Sequence, residues 1–169
     1  MASFRLTQQA QTTFSILSMI LINLKKDESV FANYNSMSHM DNHIKCKDSS
    51  RGGIFAGLKR LVLTTTSMFQ TEYIGTKTNN NIAFASFLPG DILPLKIKPG
   101  DKYMVSANSL ICYTSNLEVN AVTRFKGILV GEGIAQTEVS NDTNTDGMVW
   151  LASYGGFNKK TLKEGQEFK

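Results

Sequence analysis

A Pro-Gly-Asp turn occurs twice in this chain, ten residues apart, and this spacing constrains the fold more than any other feature. The copies are Pro89-Gly90-Asp91 and Pro99-Gly100-Asp101, and Lys163-Glu164-Gly165-Gln166 is a looser version. Proline sets φ at one central turn position and glycine accepts positive φ at the next, so each Pro-Gly is predicted to form a type II turn. Ten residues hold one strand and one turn, which is typical of sandwiches and barrels.

Short runs of alternating apolar and polar residues fill most of the sequence and predict about a dozen strands. The predicted strands lie at 4–7, 13–24, 30–32, 44–47, 69–73, 82–87, 92–97, 103–107, 110–114, 117–125, 133–139 and 148–153. Pro94 cannot donate to a ladder, so its strand should lie at a sheet edge or a bulge. We predict a mainly β fold, a β-sandwich or a jelly-roll-like double-stranded β-helix.

One stretch, Gly52 to Ile74, departs from this pattern because its first part has helical spacing. Its apolar stripe predicts one short amphipathic α-helix near 54–62 and consists of Ile54, Phe55, Leu58, Leu61 and Val62. Lys59 lies at the edge of the stripe and Arg60 points away from it. Together with Arg51 they are candidates for binding an anionic partner, such as lipid or phosphate; a solvated helix face is the alternative.

The length and net charge of the chain indicate a single domain and argue against nucleic-acid binding. A chain of 169 residues favours one domain, and no linker divides residues 1–169. The net charge of +4 is mild and falls short of the clustered basic surface of a nucleic-acid-binding protein, so we do not expect a nucleic-acid partner. The apolar run 14–24 is too short for a membrane span, which needs ~20 residues, and is predicted to be a buried strand.

The two cysteines and one polar run indicate which cellular compartment the protein occupies. Cys46 and Cys112 lie in apolar strand-like runs and are predicted to be buried free thiols, which favours a reducing, intracellular environment; a disulfide between them is the alternative. The run Ser140 to Gly147 predicts a surface loop. Its Asn141-Asp142-Thr143 would accept a glycan only in a secreted chain.

The sequence contains few residues that are arranged for metal binding or catalysis. His39, His43 and Cys46, with Asp41 between the histidines, have side chains that zinc accepts, but the strand pattern of 44–47 argues against a shared site. We therefore predict no metal, no cofactor and no catalytic residues, and hence a protein that is not an enzyme. Trp150 is predicted to face inward from a strand, with a base-stacking platform as the alternative.

Several segments together resemble the family of the altered inheritance of mitochondria protein 24. They are Gly52 to Arg60, Ser67-Met68-Phe69, Leu88 to Asp91, Gly131-Glu132-Gly133 and Leu151 to Gly156, with Leu24 to Val30 and Asn35-Ser36-Met37 fitting the opening. Asn35 stands where the family has glycine. The resemblance runs from about Phe14 to the end. It implies a double-stranded β-helix grouped with the tryptophan RNA-binding attenuation proteins, and a role in mitochondrial inner-membrane organisation. It implies a cytoplasmic or mitochondrial location and carries over no catalytic residues.

Three functions compete on this evidence, and the third, a metal-dependent cupin-like enzyme, depends on His39 and His43. The first is a non-enzymatic scaffold or interaction protein with a protein partner or a second copy, and peripheral membrane contact stays open. The second is an RNA- or small-ligand-binding module, by analogy with the fold. Residues 162–168 resemble a turn and the opening of another strand, where family chains continue. We therefore expect either a fragment or a homo-oligomer whose neighbour covers Trp150, Tyr154 and Phe157.

Nucleic-acid binding should be weak and should fall steeply as salt rises, because Arg51, Lys59, Arg60 and scattered lysines can neutralise few phosphates. Fluorescence anisotropy with single-stranded RNA at low and physiological salt measures this. Tight, sequence-selective binding at physiological salt would instead support the RNA-binding alternative.

Overall fold

The computed structural model describes residues 3–8, 18–33, 35–49, 70–86, 89–122 and 136–167. Within these ranges the chain consists almost entirely of short strands and turns. The strands are β1 Ser3–Gln8, β2 Ser18–Leu24, β3 Ser29–Asn33, β4 Met37–Met40, β5 Ile44–Ser49, β6 Gln70–Gly75, β7 Asn80–Ala85, β8 Ile92–Ile97, β9 Lys102–Ser106, β10 Leu110–Thr114, β11 Glu118–Val122, β12 Gln136–Ser140 and β13 Gly147–Ala152, with one 3-10 turn at Ala107–Ser109.

The strands pair into three antiparallel sheets. A four-stranded sheet has the order β1-β2-β7-β4, a six-stranded sheet the order β5-β6-β3-β10-β13-β8, and a three-stranded sheet the order β11-β12-β9. The prediction of a mainly β fold is confirmed. The predicted helix at 54–62 lies outside the described residues, and the double-stranded β-helix stays a prediction.

The six-stranded sheet is covered on both of its faces. One core packs its residues against β2 and β7 of the four-stranded sheet, and a second packs them against β9, β11 and β12 of the three-stranded sheet. In β13, Trp150 and Ala152 enter the first core while Val149 and Leu151 enter the second. Successive side chains of a strand point to opposite faces, so an uninterrupted apolar run serves two cores at once.

Aromatic contacts join strands within each core. Tyr73 and Phe84 meet edge to face across the first core, with ring centroids 5.5 Å apart. Phe31 and Tyr113 are paired residues of β3 and β10, and their rings stack at 5.4 Å in the second core. The Tyr113 hydroxyl donates to the buried Gln70 amide oxygen of β6. The first pair links β6 to β7 of the facing sheet, and the second links neighbouring strands of one sheet, in each case through large buried side chains.

Pro94, which has no backbone N–H, lies on the last strand of the six-stranded sheet. Pro94 is paired with Trp150, and β8 is the last strand of the six-stranded sheet, so the missing N–H of proline interrupts no ladder on the outer side. The predicted edge position is confirmed.

One turn design recurs three times. Each copy has four residues, of which the first is lysine and the third has positive φ. The backbone N–H of the fourth residue donates to the lysine carbonyl. The side chain of the fourth residue accepts a hydrogen bond from the lysine N–H. The copies are Lys25 to Glu28 (Asp27 φ 65°), Lys98 to Asp101 (Gly100 φ 83°) and Lys163 to Gln166 (Gly165 φ 75°). The predicted turn at Pro99-Gly100 is confirmed.

The other Pro-Gly pair does not form the predicted type II turn. Gly90 has a φ of 154°, far from the ~80° that this turn requires, and it bridges Gly155 in parallel. A Cβ at Gly90 would lie 1.9 Å from the Ser153 carbonyl oxygen. Glycine is needed here because a second segment of backbone passes against it.

The loop from Ser140 to Gly147 is polar and largely exposed, as predicted, but Asn141 is fully buried. Its amide nitrogen donates to the carbonyls of Ile97 and Thr145, both at 2.8 Å, and its amide oxygen accepts from the Thr143 N–H and hydroxyl. The glycan-acceptor interpretation is wrong for the folded protein because this nitrogen is buried and occupied.

Truncating one large side chain in each core should destabilise the whole protein, because both cores share the central sheet. We expect Phe84→Ala to cost about 3–5 kcal/mol and Leu117→Ala about 2–5 kcal/mol of unfolding free energy. The exposed Met104→Ala should cost less than about 0.5 kcal/mol. Chemical denaturation measures all three, and a cost below about 1 kcal/mol for either core variant would contradict the shared core.

Candidate interaction surface

After β13 the chain crosses to the residues that precede β8. The Ser153 N–H donates to the Asp91 carbonyl (3.1 Å), the Asp91 N–H to the Gly155 carbonyl (2.8 Å), and the Gly155 N–H to the Pro89 carbonyl (3.2 Å). These three bonds fix the start of what we call the C-terminal segment, residues 153–167. Its origin therefore has a defined place beside the edge strand β8.

Beyond this anchor the C-terminal segment is exposed throughout. Residues 154–167 contain no strand or helix, and all of them are exposed. The exposed side chains include three large apolar ones, Tyr154 at 78%, Phe157 at 43% and Leu162 at 46%. Apolar residues gathered on an exposed segment are typical of interaction sites.

The same segment carries an uneven charge. Residues 153–163 include Lys159, Lys160 and Lys163 and no acidic residue, whereas Glu164 and Glu167 follow in the terminal turn. All three lysines are exposed. The sequence interpretation missed Leu162 and these lysines as surface residues, although a run of eleven residues without an acid was visible.

The predicted interface residues lie in two environments. Trp150 is 2% exposed and belongs to the first core, which confirms its inward orientation. Tyr154 and Phe157 are exposed on the C-terminal segment. Tyr154 and Phe157 are therefore accessible to a partner, whereas Trp150 is buried and is not an interface residue. Arg51, Lys59 and Arg60 lie outside the described residues.

The histidines and Cys46 lie near the corner between β4 and β5, and each has its own environment. His43 Nε2 is 2.8 Å from Lys77 Nζ, and His39 Nδ1 is 3.3 Å from the Ser38 hydroxyl. Throughout the described part of the chain, no group of three His, Cys, Asp or Glu side chains could hold a metal ion. The strand expected at 44–47 is confirmed as part of β5.

Neither cysteine is in a disulfide, but only one of them is buried. Cys112 is fully buried in β10, as predicted. Cys46 is exposed, with its Sγ 3.7 Å from Met40 Sδ, so the prediction that it is buried is wrong. Among the described strands, β5 lies at the end of the central sheet and pairs with β6 alone, which leaves its side chains less covered.

Two titratable groups have shifted pKa values. Burial raises the pKa of the Cys112 thiol well above its ordinary value, which keeps it protonated and unreactive at neutral pH. Partial burial acts to raise the pKa of Glu28, but the hydrogen bond from the Lys25 N–H and nearby positive charge outweigh it and lower the pKa. Both shifts have structural causes, a core position and a turn.

The model of the family described as mitochondrial biogenesis AIM24 matches residues 11–169. The chain belongs to this family. The resemblance in the sequence motifs is thereby confirmed. Among curated protein sequences, none matches the chain.

The AIM24-family chain also resembles a solved structure. The X-ray crystal structure of a protein from Streptococcus pyogenes matches it with a TM-score of 0.70 and 19% identity, over 96% of this chain and 69% of the other. At this identity the likeness extends to the fold alone. No helix long and apolar enough to cross a membrane occurs in the described ranges of the AIM24-family chain.

A side chain at Gly90 should release the anchor of the C-terminal segment, because its Cβ would collide with the Ser153 carbonyl. In Gly90→Ala we expect amide exchange at Ser153, Asp91 and Gly155 to rise at least about tenfold, measured by hydrogen exchange with mass spectrometry. Gly100→Ala is the control, since it also has positive φ but nothing within 4 Å of the new atom. Equal exchange in both variants would show that the three bonds do not hold the segment.

Proposed function

We propose that this AIM24-family protein is a non-enzymatic scaffold or interaction protein that binds its partner through the C-terminal segment. The observation that carries the proposal is the exposure of Tyr154, Phe157 and Leu162 on a segment anchored to the edge of the central sheet. An anchored segment presents its side chains at a defined position, which suits recognition.

The buried polar groups of the described residues support the same proposal because they serve the fold. The Asn80 amide nitrogen donates to the Leu24 and Lys77 carbonyls, and Asn141 joins β8 to the loop that follows β12. The Cys112 thiol is held neutral by burial. The two asparagines stabilise backbone that must turn inside the protein, which is a structural use of polar side chains.

Family membership supports a cellular setting for this role. The family is described by mitochondrial biogenesis. We therefore extend the proposal to a scaffold that supports the organisation of the mitochondrial inner membrane. This extension rests on the family and on the resemblance, and the surface chemistry supports only the interaction itself.

Removing the exposed aromatic side chains should abolish partner binding and leave the fold intact. We expect Tyr154→Ser/Phe157→Ser to lose at least about tenfold of the partner recovered by affinity capture and quantitative mass spectrometry, because aromatic side chains dominate such contacts. The matched control is Tyr103→Ser/Met104→Ser, a second exposed pair on β9.

Light scattering of the same variants tests whether the partner is a second copy. In that case the wild-type mass would exceed that of a monomer and the Tyr154→Ser/Phe157→Ser mass would not. Partner recovery that is unchanged in the segment variant, or reduced equally in the β9 variant, would contradict the proposed surface. The unfolding midpoint should stay unchanged, since both residues are exposed.

A further inference from the structure

The C-terminal segment combines charge and apolar surface in a pattern that narrows its partner. Between Ser153 and Lys163 it carries three lysines and no acid, and Phe157 and Leu162 flank the lysine pair at 159 and 160. All of these side chains are exposed. The partner must therefore offer negative charge and accept apolar groups at the same place.

The shape of the segment adds a second constraint. Residues 156–162 have no assigned secondary structure, and the anchoring bonds stop at Gly155. The exposed side chains of these residues are therefore carried outside any strand or helix. The headgroup layer of a membrane can adapt to such a segment, with lysines at the headgroups and aromatic or aliphatic side chains at the acyl boundary.

Single-stranded nucleic acid fits this pattern less well, because it is held by aromatic stacking in a basic groove. This segment has aromatic residues only at 154 and 157, two glycines between them, and no arginine.

We propose that the C-terminal segment docks this protein onto an anionic membrane surface, with Lys159 and Lys163 at the lipid headgroups and Phe157 and Leu162 at the interface. This inference rests on the proposed function, because it names the partner of the same segment. A lysine near an anionic bilayer changes partitioning by about fivefold. The contact is peripheral and reversible and weakens as salt rises.

Co-sedimentation with sucrose-loaded vesicles tests the proposal on the full chain. The two vesicle types are pure phosphatidylcholine and phosphatidylcholine with 30% phosphatidylglycerol. We expect binding to the second type only, and a loss of at least about tenfold in Lys159→Glu/Lys163→Glu. The control Lys26→Glu/Lys98→Glu changes the net charge equally at two exposed turn lysines and should retain most of the binding. Phe157→Ser should weaken binding without changing the charge.

Several results would overturn the proposal that the segment binds an anionic membrane. Failure of the wild-type chain to bind the anionic vesicles at low salt would overturn the proposal, as would an equal loss in both charge variants. Anisotropy showing that a 20-nucleotide single strand binds through the same lysines in preference to vesicles would also overturn it. If vesicles do not bind but Tyr154→Ser/Phe157→Ser still abolishes capture of a protein partner, the membrane proposal fails and the proposed function stands. If the variants of the C-terminal segment change neither vesicle binding nor partner capture, both the membrane proposal and the proposed function fail.

Discussion

Burial of the six-stranded sheet on both faces is the constraint on which the rest of this structure depends. Its inner strands β3, β10 and β13 place neighbouring residues in opposite cores, so a polar substitution on either face would leave an unsatisfied group inside the protein. The two outer sheets each supply strand residues to one of these cores. The turns at Lys25 to Glu28 and at Lys98 to Asp101 each join a strand of an outer sheet to a strand of the six-stranded sheet.

Buried asparagines and the recurring lysine-initiated turn stabilise the places where the chain changes direction. Backbone that turns inside a protein must have its carbonyls satisfied, and Asn80 and Asn141 do this from fully buried positions. The turns at Lys25, Lys98 and Lys163 satisfy their own ends by returning a side-chain acceptor to the first N–H. At Gly90 the close approach of residues 153–155 replaces a turn, and this contact positions the exposed C-terminal segment.

Much of the fold could be predicted because alternation and turn residues are local signals. Except for β4 at Met37–Met40, which was not predicted, the strands from β3 to β13 lie within a few residues of the predicted runs, and Pro94 correctly indicated an edge. The errors share one physical cause. Cys46 and Cys112 lie in similar runs, but the first is in an edge strand and the second in a central one. Asn141 reads as a loop residue, but its loop folds over the end of β8 and buries it.

The sequence by itself determined that this is a mainly β protein of the AIM24 family, that Pro99-Gly100 forms a turn, and that Cys112 and Trp150 face inward. These properties depend on the chemistry of neighbouring residues. Only the tertiary structure decided that β5 lies at an end of the central sheet, that Gly90 meets another segment of backbone, and that Leu162 is exposed. Trp150 and Tyr154 are four residues apart, yet one is in the core and the other on the surface. That difference is set by where β13 ends against distant strands, because exposure depends on which segments pack nearby.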